Sequence, residues 1–327
     1  MQNSTLAEQS FNGAENISLA GPVTFSAIAD LARRVQGVGG IQAKGGQQEL
    51  AQVLGVSDGR YPAADTLCFV DKPVRQGTID RLQRNLVITN PAIAPSLAGC
   101  SMLVVPDARA LFIDLLGLLQ ANPGFSCFTT LADVQPGVDP TAEVHGMAVI
   151  EAGVCVGARA RIAAGCVIKQ GTVVGSDVTI RENSVIGGHG IALYKAQDGR
   201  VLRFPDLAGV FIGDRVEIGT SCSLPRGVLT STVVGRESVI GNLCNVGHGV
   251  KLGPKVWISV GTLIGGNVSI GGGSSLGLGV AVRDNVQIGD NCSIGMGSVV
   301  MRDLPDGSSV LGNPARRLPR VNAGPER

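Results

Sequence analysis

Three histidines, His145, His189 and His248, carry the side chains best suited to proton transfer at neutral pH. An unperturbed imidazole has a pKa of about 6.5, so it can accept a proton from a nucleophile under ordinary conditions. The three residues stand far apart in the sequence, without the close pair that zinc-binding histidines usually form. They therefore favour a metal-free general base, and no metal site is predicted.

A six-residue repeat organises the second half of the chain and must position these residues. From Val138 a branched aliphatic residue recurs every six positions to Ile186, and a gapless series runs from Val228 to Val300. A small or β-branched residue stands four positions after each of them except Val300. Period six fits neither an α-helix nor an alternating strand, and it indicates short strands joined by tight turns.

Three such strands close a triangular coil of eighteen residues, and coils stack as parallel strands about 4.8 Å apart. Residues 133–304 are therefore predicted to form a mainly β solenoid of about eight coils. Four cysteines fall in the small inward column, and we interpret them as packing residues of a reduced protein. They are Cys166, Cys222, Cys244 and Cys292.

The composition agrees with a thin aliphatic core. Glycine accounts for 47 of 327 residues, whereas aromatic residues make up 3% and charged residues 16%. The formal net charge of +1 gives no global field for nucleic acid or an anionic membrane surface. No apolar run approaches the roughly 18 residues of a membrane span, and no targeting segment is recognised, so a cytoplasmic protein is expected.

Three segments lie outside the repeat. Residues 1–21 are polar and aperiodic and are predicted to form a flexible tail. Residues 22–132 combine strand-like runs with a helix-like stretch at 108–120, which predicts a small α/β domain. Residues 187–211 interrupt the solenoid as one long loop, and a loop of this length is more often functional than decorative.

The order of these parts is similar to that of a known family. SVIG at 184–187, IGDRVEIG at 212–219 and the position of His248 resemble the UDP-3-O-acylglucosamine N-acyltransferases of the lipid A pathway. These are hexapeptide-repeat acyltransferases, and the likeness covers residues 22–303. It implies a left-handed parallel β-helix behind the α/β domain, and a homotrimer with active sites between neighbouring prisms.

The resemblance also implies the chemistry, which is acyl transfer from a thioester to the amine of a nucleotide-linked sugar, UDP-linked in that family. His248 is then the general base. Gly266, eighteen residues or one coil further on, would lie over His248 and offer its N–H to the thioester oxyanion. Asn245 could orient the imidazole. A solvated turn histidine, a turn glycine and a solvated turn asparagine remain the respective alternatives.

Five further residues are candidate contacts of the nucleotide sugar. His189 stands where the family has an aspartate, and Asn285 stands where it has a second histidine. Tyr194 and Arg203 of the long loop could stack on a base or meet a phosphate. Phe69, in TLCFVDKP, matches an aromatic residue with which the family holds uracil. A structural loop histidine and a core phenylalanine are the alternatives for His189 and Phe69.

The last segment, residues 305–327, is Pro-rich and basic, and it leaves the identity of the acyl donor undecided. The family has C-terminal helices there that dock acyl carrier protein. Here GNPARRLP at 312–319 resembles the exit loop of coenzyme A-dependent hexapeptide acetyltransferases. Arg316 and Arg317 are therefore candidate contacts of coenzyme A phosphates, with a solvated tail as the alternative. An acyl-CoA donor is preferred over acyl carrier protein, and no tightly bound cofactor is expected.

The sequence thus predicts an N-acyltransferase for bacterial lipid A or surface polysaccharide synthesis. An acetyl-CoA-dependent sugar O- or N-acetyltransferase is one alternative, and a non-enzymatic solenoid that binds nucleotide sugars is another. A γ-type carbonic anhydrase is excluded because the histidines lack its close zinc-binding pair. A sugar nucleotidyltransferase is excluded because no Gly-rich phosphate loop precedes the repeat.

Overall fold

The computed structural model describes residues 16–36, 41–46, 52–127 and 136–317. Its described part contains a small α/β domain followed by a long triangular prism of stacked strands. The predicted fold class, mainly β with a hexapeptide-repeat parallel β-helix behind a small α/β domain, is confirmed. None of the described helices is long and apolar enough to cross a membrane.

The N-terminal domain is one mixed sheet with helices. Its elements are β1 Asn16–Thr24, α1 Phe25–Gln36, β2 Gln42–Lys44, β3 Gln52–Ser57, β4 Thr66–Val70, α2 Gln76–Leu82, β5 Leu86–Thr89, a 3₁₀ turn at Ala94–Leu97, β6 Ser101–Val104, α3 Ala108–Ala121 and β7 Phe125–Cys127. The sheet order is β2–β6–β5–β4–β3–β1–β7, with β3 to β6 parallel. The helix predicted at 108–120 corresponds to α3, whose first turn is capped by the Asp107 carboxylate.

The first strand differs from the flexible tail predicted over residues 1–21. Residues 16–21 belong to β1, in which Ile17 and Leu19 are 1% and 6% exposed. Burying these two side chains and pairing β1 with both β3 and β7 hold the segment in place. Residues 1–15 lie outside the described residues, so that part of the tail stays a prediction.

The prism has three faces, each a stack of strands. Over most of each face a strand pairs in parallel with the strand eighteen residues on, as Trp257 pairs with Ser275 and Leu263 with Ala281. The coil from Ile218 to Ile240 is four residues longer. The same pairing closes across the inserted loop, where Ile180 pairs with Ile218. The coil length predicted from the six-residue repeat is therefore the observed one.

The strands of each face are short, and they follow in chain order. The first face holds Gly137–Val138, Cys155–Val156, Thr172–Val174, Val210–Ile212, Thr232–Val234, Lys251–Leu252, Ser269–Ile270 and Gln287–Ile288. The second holds Glu143–Val144, Arg161–Ile162, Thr179–Ile180, Glu217–Ile218, Val239–Ile240, Trp257–Ile258, Ser275–Leu276, Ser293–Ile294, Ser309–Leu311 and Arg316–Arg317. The third holds Val149–Ile150, Val167–Ile168, Val185–Ile186, Ser223–Leu224, Asn245–Val246, Leu263–Ile264, Ala281–Val282 and Val299–Val300.

The predicted inward columns form the core of the prism. Ile168, Ile258 and Ile270 are fully buried, and so are the small residues between them. The four cysteines interpreted as packing residues are free thiols at no more than 2% exposure. Val138 is 45% exposed because it lies in the first coil, at the end of the stack.

The last coil extends beyond the predicted boundary at residue 304. Ser309–Leu311 adds a strand to the second face, and Val310 closes the core at 2% exposure. Arg316–Arg317 then turns back antiparallel to this strand. The segment predicted as a tail over residues 305–327 is therefore regular up to residue 317, and residues 318–327 lie outside the described part.

The long loop at 187–211 joins the two parts of the molecule. It contains an antiparallel hairpin of Leu193–Lys195 and Val201–Arg203. Phe204 and Leu207, which follow the hairpin, pack into the same apolar cluster as the core of the α/β domain. The domain is therefore fixed against the prism beside this loop.

Candidate active site

His248 lies on the edge of the prism where the third face turns into the first. The turn is held to the next coil by two backbone hydrogen bonds, from Gly247 N–H to the Ile264 carbonyl and from Asn267 N–H to the His248 carbonyl, both 2.8 Å. The side chain is half-buried and leaves the core, as the position predicts. A rigid stack of coils therefore presents one imidazole on an edge.

Gly266 lies directly against that imidazole, one coil on. A Cβ atom at this position would stand 2.5 Å from both Cε1 and Nε2 of His248, closer than any side chain can approach. The ring thus occupies the space that a side chain at position 266 would fill. Glycine is required here by packing, since its φ is outside the left-handed region.

The Gly266 N–H, expected to serve an oxyanion, already has a partner. It donates to the Asp284 carboxylate at 2.6 Å, one further coil along the edge. The same bond between a turn N–H and a side chain one coil on joins Gly272 to Asp290 at 2.7 Å. The contact is thus part of a structural repeat, and an oxyanion role for Gly266 stays a prediction that requires the carboxylate to turn away.

The base of the inserted loop covers the other side of His248. A Cβ on Gly190 would lie 3.1 Å from His248 Cβ and 3.5 Å from Asp206 Oδ1, so loop, carboxylate and imidazole converge there. Arg203 donates from Nη2 to the Gly190 carbonyl at 2.6 Å and thereby holds the loop closed. One N–H of Arg203 thus has a backbone acceptor, and the phosphate contact expected of this residue stays a prediction.

Burial and the neighbouring charges have opposite effects on the pKa of His248. Burial lowers the pKa of His248, while the nearby carboxylates Asp206 and Asp284 act in the opposite direction. Burial raises the pKa of Asp206, and the hydrogen bond with His189 Nδ1, at 3.3 Å, opposes that rise. Because its pKa is lowered, His248 remains neutral, and able to accept a proton, at pH values below the ordinary imidazole pKa.

Asp206 and Arg226 are site residues that the sequence analysis missed. Asp206 is 8% exposed, and Arg226, also 8% exposed, donates from Nε to the Gly187 carbonyl at 2.9 Å. Burial lowers the pKa of Arg226, against the attraction of Asp206. The available signals were a charged residue inside the small and apolar run SCSLPRG, and the carboxylate at the return of the loop.

Phe69 and Tyr194 lie at the junction between domain and hairpin. The Phe69 ring packs 5.0 Å from Phe112, and the Arg109 guanidinium lies 5.4 Å from the Phe69 ring centroid and 5.1 Å from that of Tyr194. The Tyr194 hydroxyl donates to Asp107 at 2.9 Å. These contacts connect the hairpin to the domain, and the stacking of a base on Phe69 or Tyr194 stays a prediction.

Asn245 and Asn285 are exposed on the prism surface. In the described part, no hydrogen bond joins Asn245 to His248, whose Nδ1 has no partner there. Asn285 has φ +61°, and its N–H donates to the Gly266 carbonyl at 2.9 Å. Asn285 thus stands on the histidine edge, as predicted, whereas the orienting role of Asn245 has no contact to support it.

His189 and the two C-terminal arginines are accessible. The His189 side chain pairs with Asp206 through Nδ1 but is 70% exposed, so the rest of its ring is accessible to a ligand. Arg316 and Arg317 are exposed at the C-terminal end of the prism, four to five strand spacings or about 20 Å along the axis from His248. Over the described ranges, no three His, Cys, Asp or Glu side chains are placed to hold a metal ion.

Triangular coils built from a six-residue repeat define a hexapeptide-repeat β-helix protein. Known proteins named UDP-3-O-acylglucosamine N-acyltransferase are similar to parts of it. The one from Maricaulis maris is 48% identical over 147 residues, covering 44% of this chain and 42% of that protein. The one from Pseudomonas syringae pv. syringae is 26% identical over 224 residues, covering 62% and 63%. The resemblance is confirmed, and this chain is a diverged relative of these proteins.

The similarity is partial. The matched segments span between 26% and 63% of the length of these relatives. No protein-family profile matches the chain. Among solved structures, the Francisella novicida UDP-N-acetylglucosamine acyltransferase is similar with 23% identity and a TM-score of 0.47, over 55% of this chain and 66% of that one.

A Gly266→Ala variant tests the contact between position 266 and the imidazole. The new methyl group would require the ring to leave its place, so we expect the pKa of His248 to rise toward about 6.5 as water reaches it. NMR titration of ¹³C-labelled histidine measures this pKa. Gly146→Ala, whose added Cβ meets nothing within 4 Å, is the matched control. An unchanged His248 pKa in Gly266→Ala would contradict the stacked geometry.

Proposed function

We propose that the protein is an N-acyltransferase that moves an acyl group from a thioester to the amine of a UDP-linked amino sugar. The observation that carries the proposal is the half-buried imidazole of His248, held against Gly266 on the prism edge and covered by the inserted loop. The names of the relatives support the substrate class. The corresponding process is synthesis of lipid A or a surface polysaccharide.

In the proposed reaction the neutral imidazole of His248 takes a proton from the acceptor amine as its nitrogen attacks the thioester carbonyl. The new C–N bond forms and the C–S bond breaks. The imidazolium returns the proton to the departing thiolate, which leaves an amide and a free thiol. Burial supports this role because it keeps the imidazole unprotonated at neutral pH.

The acceptor is proposed to approach along the histidine edge, between the inserted loop and the exposed side chain of Asn285. His189 is the accessible loop residue that could meet the sugar or its phosphates. Tyr194 and Phe69 act indirectly in this proposal, because their rings contact Arg109 and fix the hairpin of the inserted loop, which also contains His189.

His248→Ala should lower kcat by about 10²-fold or more, with little change in KM for the sugar nucleotide, because the variant loses only the base. The measurement is thioester turnover with a panel of UDP-linked amino sugars. His145→Ala is the control, since His145 lies in a turn of the first coil and accepts from the Met147 N–H at 3.1 Å. Wild-type kcat/KM should fall only below the ordinary imidazole pKa of about 6.5.

Near-normal turnover in His248→Ala would remove this residue from the mechanism. Binding of a nucleotide sugar without turnover of any thioester would favour the non-enzymatic solenoid instead. Turnover with acetyl-CoA alone would favour the sugar acetyltransferase.

A homotrimer is proposed because one edge of the prism exposes a column of apolar side chains. Val260, Leu278 and Met296, spaced by one coil each, are 40%, 51% and 65% exposed, beside Trp257 at 62%. Such a surface is typical of an interface between subunits. Light scattering at micromolar concentration should give about three times the 33.5 kDa of one chain. A monomeric mass would contradict active sites shared between prisms.

An acyl-CoA donor is proposed from the position of Arg316 and Arg317, exposed at the end of the prism. Guanidinium groups there can meet the coenzyme A phosphates by charge-assisted hydrogen bonds. The Arg316→Ala, Arg317→Ala double variant should raise KM for acyl-CoA about 10²-fold, at about 1.5 kcal/mol for each of two lost bonds, and spare the sugar KM. Arg159→Ala with Arg161→Ala, an exposed pair near the other end, is the control. Efficient turnover with acyl carrier protein and none with acyl-CoA would overturn this preference.

A further inference from the structure

Two buried polar atoms near Gly190 lack a hydrogen-bond partner within the described residues. They are Oδ1 of Asp206 and Nδ1 of His248. The Asp206 side chain is only 2% exposed, so a ligand or bulk water has little access to it. A buried carboxylate oxygen without a donor is costly, and such atoms usually have a protein partner in at least one working state of the site.

The base of the inserted loop brings the two side chains together. Gly190 stands between them: a Cβ at this position would lie 3.5 Å from Asp206 Oδ1 and 3.5 Å from His248 Cδ2. The ring carbon Cδ2, and not Nδ1, therefore faces the loop. Rotation of the imidazole by half a turn about Cβ–Cγ exchanges these two atoms and directs Nδ1 toward the carboxylate. The ring stays in the same space above Gly266.

We propose that Asp206 is the positioning residue of His248: its Oδ1 accepts the Nδ1–H of the rotated imidazole and stabilises the imidazolium formed during acyl transfer. This inference rests on the proposed function. The bond would fix the tautomer in which Nε2 is free to accept the amine proton. It would also satisfy both unpaired atoms at once.

Burial raises the pKa of Asp206, and neighbouring groups oppose that rise. Its Oδ2 faces His189 Nδ1, while Arg203 and His248 also favour the carboxylate form. On the prism side, the charge of Asp206 attracts the Arg226 guanidinium and acts to raise its pKa. The other carboxylate near the imidazole, Asp284, accepts from the Gly266 N–H and lies beyond the ring. Asp206 is therefore the carboxylate on the loop side that is available to Nδ1.

Asp206→Asn is the central variant, because it keeps the shape and removes the charge. We expect kcat to fall about 10-fold or more with little change in KM for the sugar nucleotide. We also expect the pKa of His248 to fall below its wild-type value, since the carboxylate that favours the imidazolium is gone. The acid limb of the kcat profile should move to lower pH by the same amount.

Asp198→Asn is the matched control. Asp198 belongs to the same inserted loop and pairs with Arg200 at 2.6 Å on the exposed hairpin, away from His248. It should leave turnover, and the pKa of His248, unchanged. Equal melting temperatures of wild type and both variants exclude loss of fold as the cause.

NMR titration of the His248 imidazole keeps this test separate from the proposed function, because it requires no turnover. A lowered His248 pKa in Asp206→Asn supports the contact even if no acyl transfer is found. An unchanged His248 pKa and an unchanged acid limb in Asp206→Asn would overturn the proposal while leaving the base role of His248 intact.

Discussion

The parallel register between strands eighteen residues apart is the constraint on which the rest of the structure depends. It stacks branched aliphatic and small side chains into inward columns, which form nearly the whole core of the prism. The same register places turn residues above one another on the edges. His248 and Gly266 are in contact because of this register. A shift of the register by one residue would separate them, and it would also turn the core side chains toward solvent. Stability and the geometry of the site thus have one origin.

The inserted loop adds what a regular solenoid lacks. A turn imidazole on a bare edge would be solvated and would have an ordinary pKa. Gly190 and Asp206 cover it, Arg203 and Arg226 hold the loop by bonds to backbone carbonyls, and the hairpin is anchored in turn to the α/β domain. The domain therefore influences the chemistry from a distance, by fixing the segment that buries the base. The contacts of the domain with Tyr194, through Arg109 and Asp107, help to hold the hairpin in place.

The parts governed by the period could be predicted from the sequence, and the parts without a period could not. The coils, the buried cysteines and the contact of position 266 with His248 follow from spacing alone. The partner of the Gly266 N–H depends on the side-chain direction of Asp284, which spacing does not fix. The choice between a stacking surface and a core phenylalanine at Phe69 could not be made from the sequence, because local sequence does not show which side chains of α3 and the loop pack against the ring. Asp206 was missed because its loop has no repeat.

The prism is open to change in length only in whole coils. Removing or adding six or twelve residues would exchange the faces, whereas eighteen residues between Leu276 and Ile294 would leave every inward column and the histidine edge in register. Each such unit would nevertheless move the exposed Arg316–Arg317 strand by about 4.8 Å relative to His248. The distance between the base and the far end of the molecule is therefore quantised. An acyl donor that reaches from His248 to the Arg316–Arg317 strand must therefore fit a distance that changes only in steps of one coil.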